Sequence, residues 1–345
     1  MRLFRVPPDA SSDDLPDSAV VCHDVRNPTQ RNEILVRKGT LLEGSELRDL
    51  AARHVGEFHV AVPEAGDLTE DEAAAGLGAA IAGSGVEVGR AHFGQVGLTS
   101  SIRGLLRVNP SALDRVNAQE GVLLVTAEAG RPVDPGTTLG VLKSAPLLLP
   151  HSTVETVESI SFADGPVIEV QPFVARQVAF IAPSERLRGG GFERARVALA
   201  RAVEWYGSSL PCVVAADASV EGLASAFRQA EEAGAELILA AGATATDSLD
   251  IVFDGLRLAG GHVDQIGIPA EPGTACWIGG LGDVPVLGLA SCELFGRPGA
   301  LDLILPRLFS GEKLDKSLVR SLARGGLLDG PPRIAPYHSL ESPVE

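Results

Sequence analysis

The chain has 345 residues, a formal net charge of −16, and 45% hydrophobic but only 4% aromatic residues. This length allows two or three domains with cores of Ala, Val, Leu and Ile, and the charge opposes a broad surface for nucleic acid or anionic lipid. No apolar run is long enough to cross a bilayer, residues 1–14 are too polar for a signal peptide, and Cys22, Cys212, Cys276 and Cys292 form no CxxC pair. A soluble, cytoplasmic protein without disulfides or structural zinc is the expectation.

Residues 1–62 read as a small α+β module. A Pro/Asp-rich lead is followed by short strands over 19–24 and 33–36, then by the turn Arg37-Lys38-Gly39-Thr40. A helix over 45–55 carries Leu47, Leu50 and Ala51 at helical spacing, and a strand over 58–62 closes a βαβ-like unit. Residues 63–170 read as a second α+β domain. Acidic residues at 67–72 open an Ala/Gly-rich helix ending near 82, and a strand is expected over 86–93. A strand over 105–108 leads to a helix begun by Asn109-Pro110-Ser111. Residues 121–127 and 138–142 form a hairpin around Asp134-Pro135-Gly136. It resembles the hairpins of swinging-arm domains, but Lys143 follows the strand instead of standing at the tip, which argues against lipoyl or biotin attachment.

From 171 to 312 strands alternate with helices. That pattern predicts an α/β domain: an open, mostly parallel sheet with helices on both faces. Strands are expected over 177–181, 211–215, 237–240 and 284–289. Helices are expected over 193–205, 220–233 and 250–258, with a last one reaching about 309, and residues 313–345 form a tail. In such sheets ligands sit beyond the carboxyl ends of the strands, where turns offer backbone N–H groups to anions. Gly189-Gly190-Gly191 occupies one such turn, beside Ser184, Arg186 and Arg188. Six arginines (Arg176, Arg186, Arg188, Arg194, Arg196 and Arg201) face only Glu185 and Glu193 in this stretch, which reads either as an anion site or as a solvated helix face. The spacing is not Gly-x-Gly-x-x-Gly, and no Gly-Lys-Ser/Thr occurs anywhere, which excludes a P-loop.

A second turn carries Gly242, Thr244, Thr246, Asp247 and Asp250. Its two acids, three apart at a helix start, share a crevice; they read as ligand contacts or as helix caps, the cap falling to Asp247 or Ser248. Asp217, after the second strand, has the same two readings. Pro272 and Gly273 mark a loop, Ser291 and Cys292 mark the tip after the last strand, and Glu293 reads as a first-turn partner of the helix dipole. The histidines are dispersed, and no Ser–His–Asp pattern stands out.

This order of turns resembles the molybdopterin-binding domain shared by molybdopterin adenylyltransferases and molybdenum insertases. In that family the first turn reads roughly Gly-Gly-x-Ser-x-Gly-x-x-Asp, the loop Lys-Pro-Gly, and the second turn Gly-Asn-Pro-x-Ser. Here residues 241–250 read Ala-Gly-Ala-Thr-Ala-Thr-Asp-Ser-Leu-Asp, the loop is Glu271-Pro272-Gly273, and the tip is Leu289-Ala290-Ser291-Cys292-Glu293. Lys38-Gly39-Thr40-Leu41-Leu42 is similar to a Lys-Gly-x-x-Leu segment near the insertase amino terminus. Insertases carry a further carboxyl-terminal β-domain, for which residues 313–345 are too few.

The resemblance implies a molybdopterin-binding protein in molybdenum cofactor biosynthesis, handling or delivery. Molybdopterin or its nucleotide form would place its phosphate at Ser184, Arg186, Arg188, Gly189 and Gly190. Gly242, Thr244, Thr246, Asp247, Pro272 and Gly273 would line the rest of the ligand, Asp247 meeting a metal or the pterin, and Ser291 would donate to its phosphate or its pterin. Two alternatives stay open. One is an active molybdotransferase, with Asp250 and Asp217 as catalytic acids and Asp250 holding Mg²⁺. The other is a non-catalytic sensor or docking protein for molybdoenzyme assembly. Beyond the pterin-phosphate, the implied partners are a molybdoenzyme or cofactor-assembly proteins and further copies of this chain, with no nucleic acid and no membrane.

Overall fold

A computed structural model describes residues 1–328 except 9, 11–13, 28, 31–32, 54–55, 188 and 244–245. Arg188 and Thr244, both expected at the site, therefore lie outside the described residues. Contacts divide the chain into two compact units. One comprises 1–101, 107–128 and 135–170; the other comprises 102–106, 129–134 and the chain from 171 onward. The architecture is mixed α/β with several sheets, one of them six-stranded and mostly parallel.

That sheet belongs to the second unit. Its strands are β1 (Gln177–Pro183), β2 (Ser209–Ala216), β3 (Leu237–Ala241), β4 (His262–Ile266), β5 (Trp277–Leu281) and β6 (Val284–Leu289), in the order β2-β1-β3-β6-β5-β4. The pairs β1/β2, β1/β3 and β3/β6 are parallel, while β5 runs antiparallel to both β6 and β4. Burial in β1 is unbroken from Val178 to Pro183, as a central strand covered on both faces requires. Val178, Phe180 and Ala182 enter one core, and Ala179 and Ile181 the opposite one.

The first core is closed by α1 (Gly191–Trp205), through Ala195, Leu199, Ala202 and Val203. The second is closed by α2 (Val220–Glu232), whose Leu223, Ala226, Phe227 and Ala230 recur at helical spacing, and by α3 (Ile251–Leu258). The last helix expected from the sequence is two helices, α4 (Ser291–Leu294) and α5 (Ala300–Phe309), broken across Gly296, Pro298 and Gly299. A further helix, α6 (Lys316–Ser321), starts where Asp315 accepts the N–H groups of Ser317 and Leu318, both at 2.8 Å, and it sends Leu318 and Val319 into the first core.

The first unit contains an antiparallel sheet in the order Arg2–Val6, Phe58–Val62, Ser18–Val21, Leu41–Glu43. Leu41–Glu43, the helix Gly44–Arg53 and Phe58–Val62 form a βαβ unit split by the strand Ser18–Val21. The strand Arg2–Val6 falls in the lead that the sequence reading leaves without structure. Val122–Thr126 pairs antiparallel with Thr138–Ser144, and Lys143 lies inside that strand opposite Gln95. The strand expected over 86–93 ends at Val88, and Phe93 adopts φ 51° in the turn between His92 and Gln95. Among the described residues no helix is long and apolar enough to cross a membrane.

Candidate functional site

Because β5 alone runs against the others, the loops that follow β1, β2, β3, β4 and β6 share one edge of the sheet. Every described residue expected at the site lies on one of these loops or, for Ser291, at the first position of the helix that follows β6. The order of the sheet turns back at β1, since β2 lies on one side of it and β3 on the other. The crevice that such a reversal opens lies between the loops after β1 and β3, where ligands of open α/β sheets bind.

Arg186 spans this crevice. Its Nη1 donates to the Gly242 carbonyl and, at 2.5 Å, to Asp250 Oδ2. The guanidinium side chain is 41% exposed and the Asp250 side chain only 4%. Asp250 Oδ1 accepts the Val252 N–H at 2.9 Å, so this acid caps α3. The cap does not fall to Asp247 or Ser248. Asp247 Oδ1 instead accepts the Leu249 N–H at 3.0 Å and shapes the turn, because it stands three residues ahead of the cap position, out of reach of the free N–H groups of the first helical turn. Gly242, at φ 115°, sits where a Cβ would meet Pro183 Cγ at 3.0 Å, which fits the two turns closely together.

Beside Arg186 lie Gly189 and Gly190, both exposed and both at positive φ, with Gly190 preceding α1. A Cβ on Gly189 would meet nothing within 4 Å, so the backbone there is open to an approaching group. Ser184, Thr246 and Ser291 are exposed on the neighbouring turns.

The arginine-rich stretch does not form one anion site. Arg176 precedes β1 and Arg186 follows it, so a strand of roughly 23 Å separates them. Arg176 donates to the Leu308 carbonyl at 3.3 Å and Arg196 pairs with Glu193, while Arg194 stays at the glycine turn, donating to the Gly189 carbonyl at 3.4 Å, with its guanidinium 6.0 Å from the Phe295 ring centre. Asp217 is exposed at the far side of the edge, and Ser219, not Asp217, caps α2 by accepting the Gly222 N–H at 3.0 Å. At about 4.8 Å per strand, the strands ahead of Asp217 and Asp250 stand two intervals apart, and Asp217 and the Pro272 loop four to five.

The other end of the edge is organised by an acid that the sequence reading treats as a dipole partner of its own helix. Glu293 is 1% exposed and serves the next helix instead: Oε1 accepts the Ala300 N–H at 3.0 Å, and Oε2 the Leu301 N–H at 3.3 Å. Burial, and then the nearby Asp302 carboxylate, push its carboxyl up to about 7, against the lowering pull of those N–H groups. Burial and the Glu293 charge together also raise the Cys276 and Cys292 thiols. Pro272 accepts the Ala300 N–H at 3.0 Å, and a Cβ on Gly273 would lie 2.9 Å from Glu293 Oε1. On its outer side the loop is held by Glu271, whose N–H donates to the Gly326 carbonyl at 2.7 Å and whose carbonyl accepts the Leu328 N–H at 2.8 Å. The helix-breaking run Gly296, Pro298 and Gly299 is the sequence signal that could have exposed this corner.

No protein-family model matches the chain, and no curated protein matches it. Among solved structures it is similar to the molybdopterin biosynthesis MoeA protein of Pyrococcus horikosii. There the identity is 17% over 66% of this chain and 69% of that chain, with a TM-score of 0.30. It is also similar to a NadC deletion mutant, at 10% identity over 48% of this chain and 61% of that one, with a TM-score of 0.16. At such TM-scores neither likeness bears on the site.

Proposed function

We propose that the chain binds molybdopterin or its nucleotide form along the carboxyl edge of the six-stranded sheet and serves in molybdenum cofactor biosynthesis, handling or delivery. The observation that carries this reading is Arg186. It is a half-exposed guanidinium fixed across the reversal point of the sheet, beside the open backbone at Gly189. A phosphate fits such a cradle, since arginine and free N–H groups are its natural partners. The pterin comes from the ordered resemblance of the turns, with Thr246, Asp247, Pro272, Gly273 and Ser291 on the loops along which it would lie.

Mg²⁺ does not fit Asp250 in this arrangement. One oxygen is taken by the α3 cap and the other by Arg186, and among the described residues no group of three or more His, Cys, Asp or Glu could hold a metal. This favours binding or delivery over molybdate transfer. Delivery in turn calls for a molybdoenzyme or an assembly protein as partner, which co-purification would reveal, and light scattering would test for a homo-oligomer.

The decisive experiment is anaerobic calorimetric titration with molybdopterin and with its adenine and cytosine dinucleotides. Arg186→Lys keeps a cation for Asp250 but loses the planar fork, and is expected to weaken binding by about tenfold, at the low end for a charged hydrogen bond. Absence of binding to every form overturns the reading.

A further inference from the structure

Glu293 is a buried acid that the ligand reading leaves without a role. Its surroundings close on it from three segments. The Glu271-Pro272-Gly273 loop contributes the Pro272 carbonyl and Gly273, the turn after β6 contributes Cys292, and the start of α5 contributes two N–H groups and Asp302. Cβ atoms placed on Gly273 and Gly299 would stand 2.9 and 2.2 Å from Glu293 Oε1, so the corner has no room for a side chain at either position. The titratable groups facing Glu293 are Asp302, Cys276 and Cys292; among the described residues no cation is paired with it.

One donor is shared. The Ala300 N–H points at Glu293 Oε1 and at the Pro272 carbonyl, both at 3.0 Å. We propose that Glu293 is the positioning residue for the Glu271-Pro272-Gly273 loop: its carboxylate competes with the Pro272 carbonyl for the Ala300 N–H, so its charge sets how firmly the loop is held. On the molybdopterin reading, the same charge sets how well the site holds its ligand. The direction follows from acceptor strength. An ionised Glu293 draws the N–H away from Pro272 and loosens the loop, whereas a protonated one leaves the N–H to Pro272 and tightens it. With the carboxyl pushed up to about 7, the change falls near neutral pH.

Hydrogen exchange of the full chain, read by mass spectrometry and corrected for intrinsic rates, tests this without any ligand. In the wild type, peptides covering 269–276 are expected to exchange about fivefold faster well above pH 7 than well below it, the worth of one backbone hydrogen bond. Glu293→Gln is expected to flatten that profile and Glu293→Asp to restore part of it. A wild-type profile without a step, or the same step in Glu293→Gln, overturns the proposal. The wild-type profile alone decides the matter should Glu293→Gln fail to fold. Cys292 alkylation provides a second readout: removing the neighbouring charge lowers the thiol and speeds the reaction in Glu293→Gln, and an unchanged rate counts against the proposal. Titration of molybdopterin at the same two pH extremes separates the two readings. No binding at either pH refutes the ligand reading and leaves the loop to the exchange profile. Binding whose pH dependence survives in Glu293→Gln refutes the role of Glu293 at the site.

Discussion

Two buried acids stand on the same edge of one sheet, and their surroundings give them opposite characters. Asp250 faces a cation and caps a helix, so both its oxygens are committed and its charge is compensated. Glu293 also receives helix N–H groups, but it faces Asp302 and two thiols, and burial outweighs its hydrogen bonds. Residue type therefore does not decide the character of a buried carboxylate: burial first, and then the Asp302 charge, raise Glu293, whereas Arg186 compensates the charge of Asp250.

The largest expected effect breaks the strut. Asp250→Ala removes the α3 cap and leaves Arg186 without its acid, and should lower the unfolding free energy by about 2–3 kcal/mol in urea titrations, since the half-exposed arginine discounts the ion pair. The second test reads the titrating acid. The folded Glu293 pKa of about 7 lies above its ordinary 4.5, so the folded chain holds the proton more tightly. The stability this contributes is full below pH 4.5, falls as pH rises through the window up to about 7, and is lost above it. At most about 3 kcal/mol is involved, and urea titrations of wild type and Glu293→Gln across this window should show the wild type losing ground as pH rises. Third, Gly299→Ala drives a methyl into the Glu293 carboxylate and should cost about 1–3 kcal/mol by overpacking, while leaving the Arg186–Asp250 pair intact. The smallest effect serves as a control. Ser219→Ala, on a neighbouring turn that touches neither acid, should cost about 1 kcal/mol and leave the pH profile of stability unchanged.

Much of this edge was legible in the chain. Continuous apolar runs such as 237–240 mark buried strands, alternation with helical periods marks a parallel sheet, and small polar turns mark its carboxyl ends. Within a turn the sequence is less decisive. Asp-Ser-Leu-Asp offers two caps at positions 247 and 250, and only the observed start of α3 at Ile251 selects the second. The arginine stretch looks like one cluster on paper, yet strand length carries Arg176 and Arg186 to opposite ends of the sheet.

The corner around Glu293 was hidden for a different reason. Read as one helix from 291 to 309, the segment leaves Glu293 on a first turn and in water; the break before Ala300 folds it under the next helix instead. Local pattern by itself determined the four parallel strands β1, β2, β3 and β6, the helices α1 to α3 and the set of turns that could carry a site, because period and turn chemistry are properties of short stretches. Strand order, the crevice at its reversal, the Arg186–Asp250 pair and the buried state of Glu293 were decided by tertiary structure alone. Each depends on which distant segments meet, and burial and charge pairing arise only from that meeting.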